Sequence, residues 1–186
     1  SIHQLAIDSR KPEIFIEYYI WLSEGYFIKG DFEQGYALKR KAIGLAEKAG
    51  LRFTIAQACC DMGYYCNADA CYDSARYYFH KGLVAGEGLP GAEEACRTIL
   101  TNYASSFLFE GQTGSALVYT IRASERSAAD KDTAMLIENL NQLGTIYRRK
   151  KNLEDCIANF EEALHLCELC GNYNTDAFIY GNIATA

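Results

Sequence analysis

The sequence predicts an all-α protein built from a row of antiparallel helix pairs, and three observations lead to that fold class. First, the 186 residues include only two prolines, and 49% are hydrophobic against 23% charged, which is typical of a folded helical domain. Second, apolar side chains recur with the period of an α-helix. Third, a small residue returns about every 40 positions, which is typical of a repeat array.

The repeat is defined by small side chains set among large ones. When the small residue is numbered position 8, repeats start at 16, 56, 97 and 137, with a partial fifth at 177. The array then covers residues 16–186, and residues 1–15 are the tail of a preceding helix or an N-terminal cap. The small residues are Ser23, Gly63, Ala104, Gly144 and Ala184 at position 8, Gly35, Ala75, Ala116 and Cys156 at position 20, and Ala42, Gly82, Ala123 and Ala163 at position 27.

Each repeat contains two helices in succession. Positions 4, 7, 8 and 11 share one face of a first helix, and positions 17, 20, 24, 27 and 28 share one face of a second. Short polar turns separate the two helices, which makes them antiparallel neighbours. These turns are predicted at 29–31, 69–71, 110–112 and 150–152. Gly50 and Gly171 are expected to end the second helix in a left-handed conformation, and the GLPG of 88–91 ends it in the second repeat.

The fourth repeat carries the pattern of a known family. Its large, small and aromatic positions are Leu140, Leu143, Gly144, Tyr147, Cys156, Phe160 and Ala163. This pattern resembles the tetratricopeptide repeat (TPR), in the variety with repeats of about 40 residues found in kinesin light chains, polarity adaptors and bacterial regulators. The resemblance implies a right-handed α-α superhelix, a TPR-like solenoid whose concave wall is made by the first helix of each repeat. The third repeat departs from the pattern, with Thr113, Thr120 and Ser124 at sites that are usually bulky.

Composition argues against several classes of function. The net charge is −6, and the densest basic run is residues 148–151, so we expect no direct nucleic-acid binding by this segment. No apolar run is long enough to span a membrane, and the first residues lack the basic and apolar segments of a signal peptide, so we expect a cytoplasmic location. A periplasmic location is the alternative if a signal peptide has been removed. The eight cysteines have irregular spacings and are expected to be reduced thiols, including the CELC of 167–170.

The sequence contains no recognisable catalytic or cofactor motif. None of the three histidines has a second histidine four residues away, as a metal site on a helix would need. The GEGLPG of 86–91 lacks the preceding strand and the following Lys-Ser/Thr of a phosphate-binding loop. We therefore expect no enzyme activity, no cofactor and no metal site.

Function is expected on the concave face of the first helices, at positions 2, 5, 6, 9, 12 and 13. Side-chain amides at positions 5 and 6 both donate and accept hydrogen bonds, so they suit the backbone of an extended peptide. Asn102, Gln142 and Asn182 are expected to form a ladder. The resemblance implies a peptide-holding role for Asn102 and Asn182 and extends to Gln142, but not to Asp61 or Trp21 at the same position. The predicted binding residues are Tyr64, Asn67, Asn102, Asn141, Gln142, Thr145, Arg148, Arg149 and Asn182.

The function predicted is a non-catalytic protein- or peptide-binding TPR module, a fragment of a larger signalling or regulatory protein such as a transcription regulator. The alternative is a structural scaffold or self-association element. Ile179 and Ile183 are expected to leave an apolar face on the last helix, so we expect the natural chain to continue or a homodimer to form there. The polar face positions have a second interpretation, namely that they only solvate an exposed helix surface.

Overall fold

The computed structural model describes residues 11–171 and 173–184, with side chains described at 11–171 and 179–184. Within those ranges the chain is helical and has no strand. The helices are α1 Pro12–Ile28, α2 Phe32–Ala49, α3 Arg52–Ala68, α4 Tyr72–Gly86, α5 Glu93–Phe109, α6 Thr113–Ala129, α7 Thr133–Arg149, α8 Leu153–Cys170 and α9 Tyr173–Ala184. The predicted fold class, an all-α TPR-like solenoid of antiparallel helix pairs, is confirmed.

The odd-numbered helices are the first helices of the repeats and are called A helices here, and the even-numbered ones are B helices. The four predicted turns are the segments that separate A from B in each pair. The middle residue of every such turn has a positive φ, at Gly30, Ala70, Gly111 and Lys151. This left-handed residue reverses the chain and ends the A helix in each repeat.

Helix ends are stabilised by local side chains and glycines. Asp31, Asp132 and Asn152 precede B or A helices and accept hydrogen bonds from backbone N–H groups three residues later. Gly50 and Gly171 follow α2 and α8 with φ of 68°, as predicted, where a residue with a Cβ would be strained. Residues 12–15, assigned from the sequence to a preceding segment, form the first turn of α1. Residues 1–10 lie outside the described residues.

Two compact units make up the chain, Ser1–Ile99 (the N-terminal unit) and Leu100–Ala186 (the C-terminal unit). The N-terminal core packs Ile16 of α1 against small and apolar residues of α2 and α3, including Ala42 and Met62. The C-terminal core is built around Leu140, Phe160 and their neighbours on α7, α8 and α9. Among the described helices, none is both long and apolar enough to cross a bilayer.

The small residues at positions 20 and 27 are all buried. Their size matters most where an aromatic ring lies against a glycine. A Cβ added to Gly63 would lie 2.3 Å from Phe79, and one added to Gly144 would lie 2.5 Å from Phe160. Ring and glycine are therefore complementary in volume, which lets the A helix approach its own B helix closely in these two repeats.

The last helix departs from one expectation. Ile179 of α9 is fully buried and belongs to the C-terminal core, and Ile183 is half-buried against the same cluster. The apolar face expected at these two residues is therefore not exposed, because α9 packs back onto α8. The homodimer expected through this helix stays a prediction.

Candidate functional site

In the N-terminal unit, the A-helix face forms a cleft of about 440 Å³. Five of the residues that line it stand at face positions 2, 5 or 6 of the repeat: Ile20, Gln57, Cys60, Asp61 and Thr98. The rest of the lining comes from the first two turns of α3, the first turn of α5 and Gly91 in the loop before α5. The cleft therefore lies between successive A helices, where the array is expected to bind a partner.

Two of the predicted amides in the C-terminal unit are hydrogen-bonded to each other. Asn182 Nδ2 of α9 donates to Asn141 Oδ1 of α7 at 2.8 Å, and both side chains are half-buried. Thr145 Oγ1 donates to the Asn141 carbonyl at 3.1 Å, one turn along the same helix. The bond between Asn182 and Asn141 joins position 5 of one A helix to position 6 of the next and holds both amides in defined orientations.

Gln142 is used differently from its neighbours in the expected ladder. Its Nε2 donates to Ser105 Oγ of α5 at 2.8 Å, and its Oε1 accepts from Thr120 Oγ1 of α6 at 3.0 Å. The Gln142 amide therefore links α5, α6 and α7 through both of its ends. Asn102 is half-buried on α5.

Both predicted arginines make contacts with helix ends. Arg149 Nη1 donates to the Leu108 carbonyl in the last turn of α5 at 2.8 Å, and Arg148 Nη1 donates to the Asn182 carbonyl at 3.4 Å. A cation is favoured at the C-terminal end of a helix, where carbonyls lack an intrahelical partner. Each of these bonds uses one of the five N–H donors that a guanidinium carries.

Tyr64 and Asn67 belong to α3 in the N-terminal unit, whereas the other seven predicted binding residues belong to the C-terminal unit. Tyr64 is 56% exposed, and its ring meets Tyr65 edge-on with centroids 5.7 Å apart. Asn67 is half-buried near the end of the same helix.

A buried ion cluster, not predicted from the sequence, adjoins the cleft. Lys39 of α2 is fully buried, and its Nζ lies 2.7 Å from Glu24 Oε1 and 3.1 Å from Asp61 Oδ2. The two carboxylate side chains remain 40% and 45% exposed. The sequence does indicate that Lys39 is unusual, because it stands at position 24, where Phe79 and Phe160 stand in two other repeats.

A second buried polar group was also missed. Thr101 Oγ1 of α5 donates to Asn139 Oδ1 of α7 at 2.9 Å, and Asn139 Nδ2 donates to Ser127 Oγ of α6 at 3.1 Å. All three side chains are buried, so these bonds satisfy groups that would otherwise be costly to remove from water. Asn139 stands outside the face positions, and its sequence context alone does not reveal its partners.

The thiol in the cleft is kept neutral by its surroundings. Burial raises the pKa of Cys60 to about 12, with a further contribution from Asp61. Because the thiolate is the nucleophilic form, this residue acts as a small apolar side chain at neutral pH. In the described part of the chain, no three His, Cys, Asp or Glu side chains are grouped so as to hold a metal ion.

Comparisons with known proteins place the fold but not the function. No model of a known protein family matches the chain, and no curated protein matches it in sequence. The crystal structure of BtubC from P. vanneervenii is similar, with a TM-score of 0.79 and 16% identity over 88% of this chain and 67% of BtubC. Aspartyl phosphate phosphatase F from Bacillus subtilis is also similar, with a TM-score of 0.82 and 15% identity over 96% of this chain.

This chain spans 48% of the phosphatase, about half of its length. Identities at this level show the shared fold alone. The predicted resemblance to TPR proteins is confirmed at the level of the fold.

Proposed function

We propose that this chain is a non-catalytic module that binds an extended peptide or protein segment along its A-helix face, as part of a larger signalling or regulatory protein. The observation that carries the proposal is the pair of amides Asn141 and Asn182, which are hydrogen-bonded across successive A helices and half-buried. The alternative interpretation, that these residues only solvate the surface, predicts that replacing the amides leaves peptide binding unchanged.

A preoriented amide is well suited to grip a peptide backbone. It has two N–H donors and a carbonyl oxygen with two lone pairs, so the bond to Asn182 occupies one acceptor site of Asn141. Holding the side chain in place beforehand reduces the entropy lost when a ligand binds. Backbone contacts of this kind confer affinity for extended peptides of many sequences.

The two arginines would add selectivity. Arg148 and Arg149 lie at the end of α7, on the A helix that carries Asn141. We expect their guanidinium groups to favour an acidic side chain or a C-terminal carboxylate, because guanidinium groups bind carboxylates in a bidentate manner.

A binding role is also supported by how the ionisable groups are used. Lys39 is paired with two carboxylates, Arg149 bonds to a helix end, and the Cys60 thiol has a raised pKa. These groups stabilise packing and shape rather than stand ready for proton transfer.

We further propose a reducing compartment such as the cytoplasm, because all eight cysteines are thiols and six of them are buried.

The test is a double variant, Asn102→Ala with Asn182→Ala, assayed against end-blocked peptides selected from a random display library on the wild-type chain. We expect peptide affinity to fall about tenfold for each effective hydrogen bond lost, with the helical fold retained and only the loss of about 1 kcal/mol that removing a hydrogen bond such as Asn182 to Asn141 entails. Asn159→Ala is the matched control, because Asn159 lies on the B helix α8. Equal affinity of wild type and double variant would contradict the proposal.

Self-association remains the second candidate function, favoured by one surface of α1. Trp21 is 77% exposed and lines a shallow depression together with Ile14, Tyr18 and Leu22. Contiguous exposed apolar surface commonly marks an interaction site. Sedimentation velocity over a wide concentration range separates the candidates: a dimer that Trp21→Ser abolishes supports self-association, and a monomer throughout opposes it.

A further inference from the structure

The cleft in the N-terminal unit combines an apolar wall with negative charge. Ile20, Phe53, Ala58 and Ala95 supply apolar surface, and Asp61 and Glu94 supply carboxylates. Among the described residues that line it, none is Lys, Arg or His. A volume of about 440 Å³ falls within the range of small-ligand sites.

The ion cluster beside the cleft leaves its negative charge on the accessible side. Glu24, Asp61 and Lys39 carry two negative charges and one positive charge, which sum to −1. The positive charge is fully buried, whereas the Asp61 side chain is 45% exposed. A ligand entering the cleft therefore meets carboxylate oxygens and cannot reach the Lys39 ammonium.

This arrangement matches the two parts of a basic side chain. The methylene stem of Lys or Arg covers apolar surface while its head remains near polar groups, as Ile20 and Ala95 beside Asp61 would allow. Phe53 is 41% exposed, and its ring offers a face that attracts a cation. Gln57 and Thr98 add hydrogen-bonding groups for a flanking backbone.

We propose that this cleft binds a lysine or arginine side chain of a partner peptide, through its apolar wall and the carboxylates of Asp61 and Glu94. The inference rests on the proposed peptide-binding function and names the chemistry of one part of the peptide. Glu94 is exposed at the cleft, and Asp61 is held in an ion pair with Lys39.

The experiment uses the full chain and a display library of random, end-blocked decapeptides. We expect one peptide position to be enriched in Lys or Arg. Replacement of that residue by norleucine, which keeps the stem and removes the charge, should lower affinity about tenfold in fluorescence anisotropy, and added salt should weaken the effect.

The cleft is then tested by Glu94→Gln against the matched control Glu93→Gln. Both glutamates lie in the first turn of α5, so the two changes alter net charge and helix-dipole stabilisation alike, but only Glu94 lines the cleft. Glu94→Gln should weaken the basic peptide by up to about fivefold and leave the norleucine peptide unaffected. Glu93→Gln should change neither.

Three results would overturn the inference: no enrichment of basic residues, equal binding of the norleucine peptide, or equal effects of the two glutamine variants. Its failure is distinguishable from that of the proposed function. If selected peptides show no basic preference yet depend on Asn102 and Asn182, the inference alone fails. If the library yields no binding peptide, both proposals fail.

Discussion

Side chains at positions 8 and 24 of each repeat form matched sets. Where position 24 is Phe79 or Phe160, position 8 is the glycine that the ring covers. The other two repeats have polar position-24 residues, Lys39 and Thr120, both fully buried, and their position-8 residues carry a Cβ. The size of one residue thus depends on the shape of the other, since a packed interior leaves no room for both to be large.

At this scale we predict that Gly144→Ala destabilises the protein. The new Cβ would lie 2.5 Å from Phe160 Cε1, and the buried ring would have to move. We expect a loss of about 1–3 kcal/mol in the free energy of unfolding, measured by urea denaturation, although alanine favours helix by about 1 kcal/mol.

Gly44→Ala is the control for this change. Gly44 also lies inside a helix, but a Cβ there would meet nothing within 4 Å. It should stabilise the chain by up to about 1 kcal/mol through helix propensity alone. If both variants shift stability in the same direction, the close contact between Gly144 and Phe160 has no energetic importance.

Between elements, polar side chains link three helices at once in both units. Lys39 of α2 joins Glu24 of α1 to Asp61 of α3. Gln142 of α7 joins Ser105 of α5 to Thr120 of α6. In each case an A helix, its B helix and the next A helix share one polar group, which fixes their register because a buried polar atom must keep its partners.

We predict that the Lys39 cluster responds asymmetrically to substitution. The double variant Glu24→Gln, Asp61→Asn leaves a buried ammonium without a counterion and should cost about 3–5 kcal/mol of unfolding free energy. Lys39→Met removes the buried charge and leaves two carboxylates that water already reaches, so its cost should be below about 1 kcal/mol.

Thermal and urea denaturation of the wild type, the double variant and Lys39→Met in parallel would measure both effects. A Lys39→Met variant as unstable as the double variant would show that the ion pairs themselves, rather than the penalty of an unpaired charge, stabilise this part of the fold.

At the scale of the whole molecule, the reactivity of the cysteine thiols shows how much of the chain is packed. Cys71 and Cys170 are exposed, and the other six cysteines are buried. We predict that a disulfide reagent modifies two thiols promptly in the native protein and the remaining six only after denaturation. Modification of the native Cys71→Ser, Cys170→Ser variant should be negligible, and rapid reaction of that variant would contradict the described packing.

Stability should also fall at alkaline pH. Burial raises the pKa of Cys59 and Cys60 to about 12, above the ordinary value of 9.0. Below pH 9 the folded and unfolded chains both keep these protons, and the contribution of the neutral thiols is complete. As pH rises from 9 towards 12, the unfolded chain releases the protons first, so that contribution is lost. A variant with Cys59→Ala and Cys60→Ala should show a weaker decline.

Local features of this fold were predictable from the sequence, and the candidate site was predictable in part. The four turns and the ends at Gly50 and Gly171 follow from turn residues and hydrophobic period, which act within a few residues. Face positions also follow from the period, and five of them line the cleft. The expected ladder did not anticipate that Gln142 bonds to Ser105 and Thr120.

Helix order, turn positions and the placement of small side chains thus follow from the sequence by itself, because each depends on spacing along one stretch of chain. The burial of Lys39 and Asn139, and the pairing of Asn141 with Asn182, emerged only from the folded protein. Lys39 and Glu24 are 15 residues apart in the sequence, and Asn141 and Asn182 are 41 residues apart. Only packing of successive helices decides which polar atoms meet at such separations, since a buried donor bonds whichever acceptor the neighbouring helix places within reach.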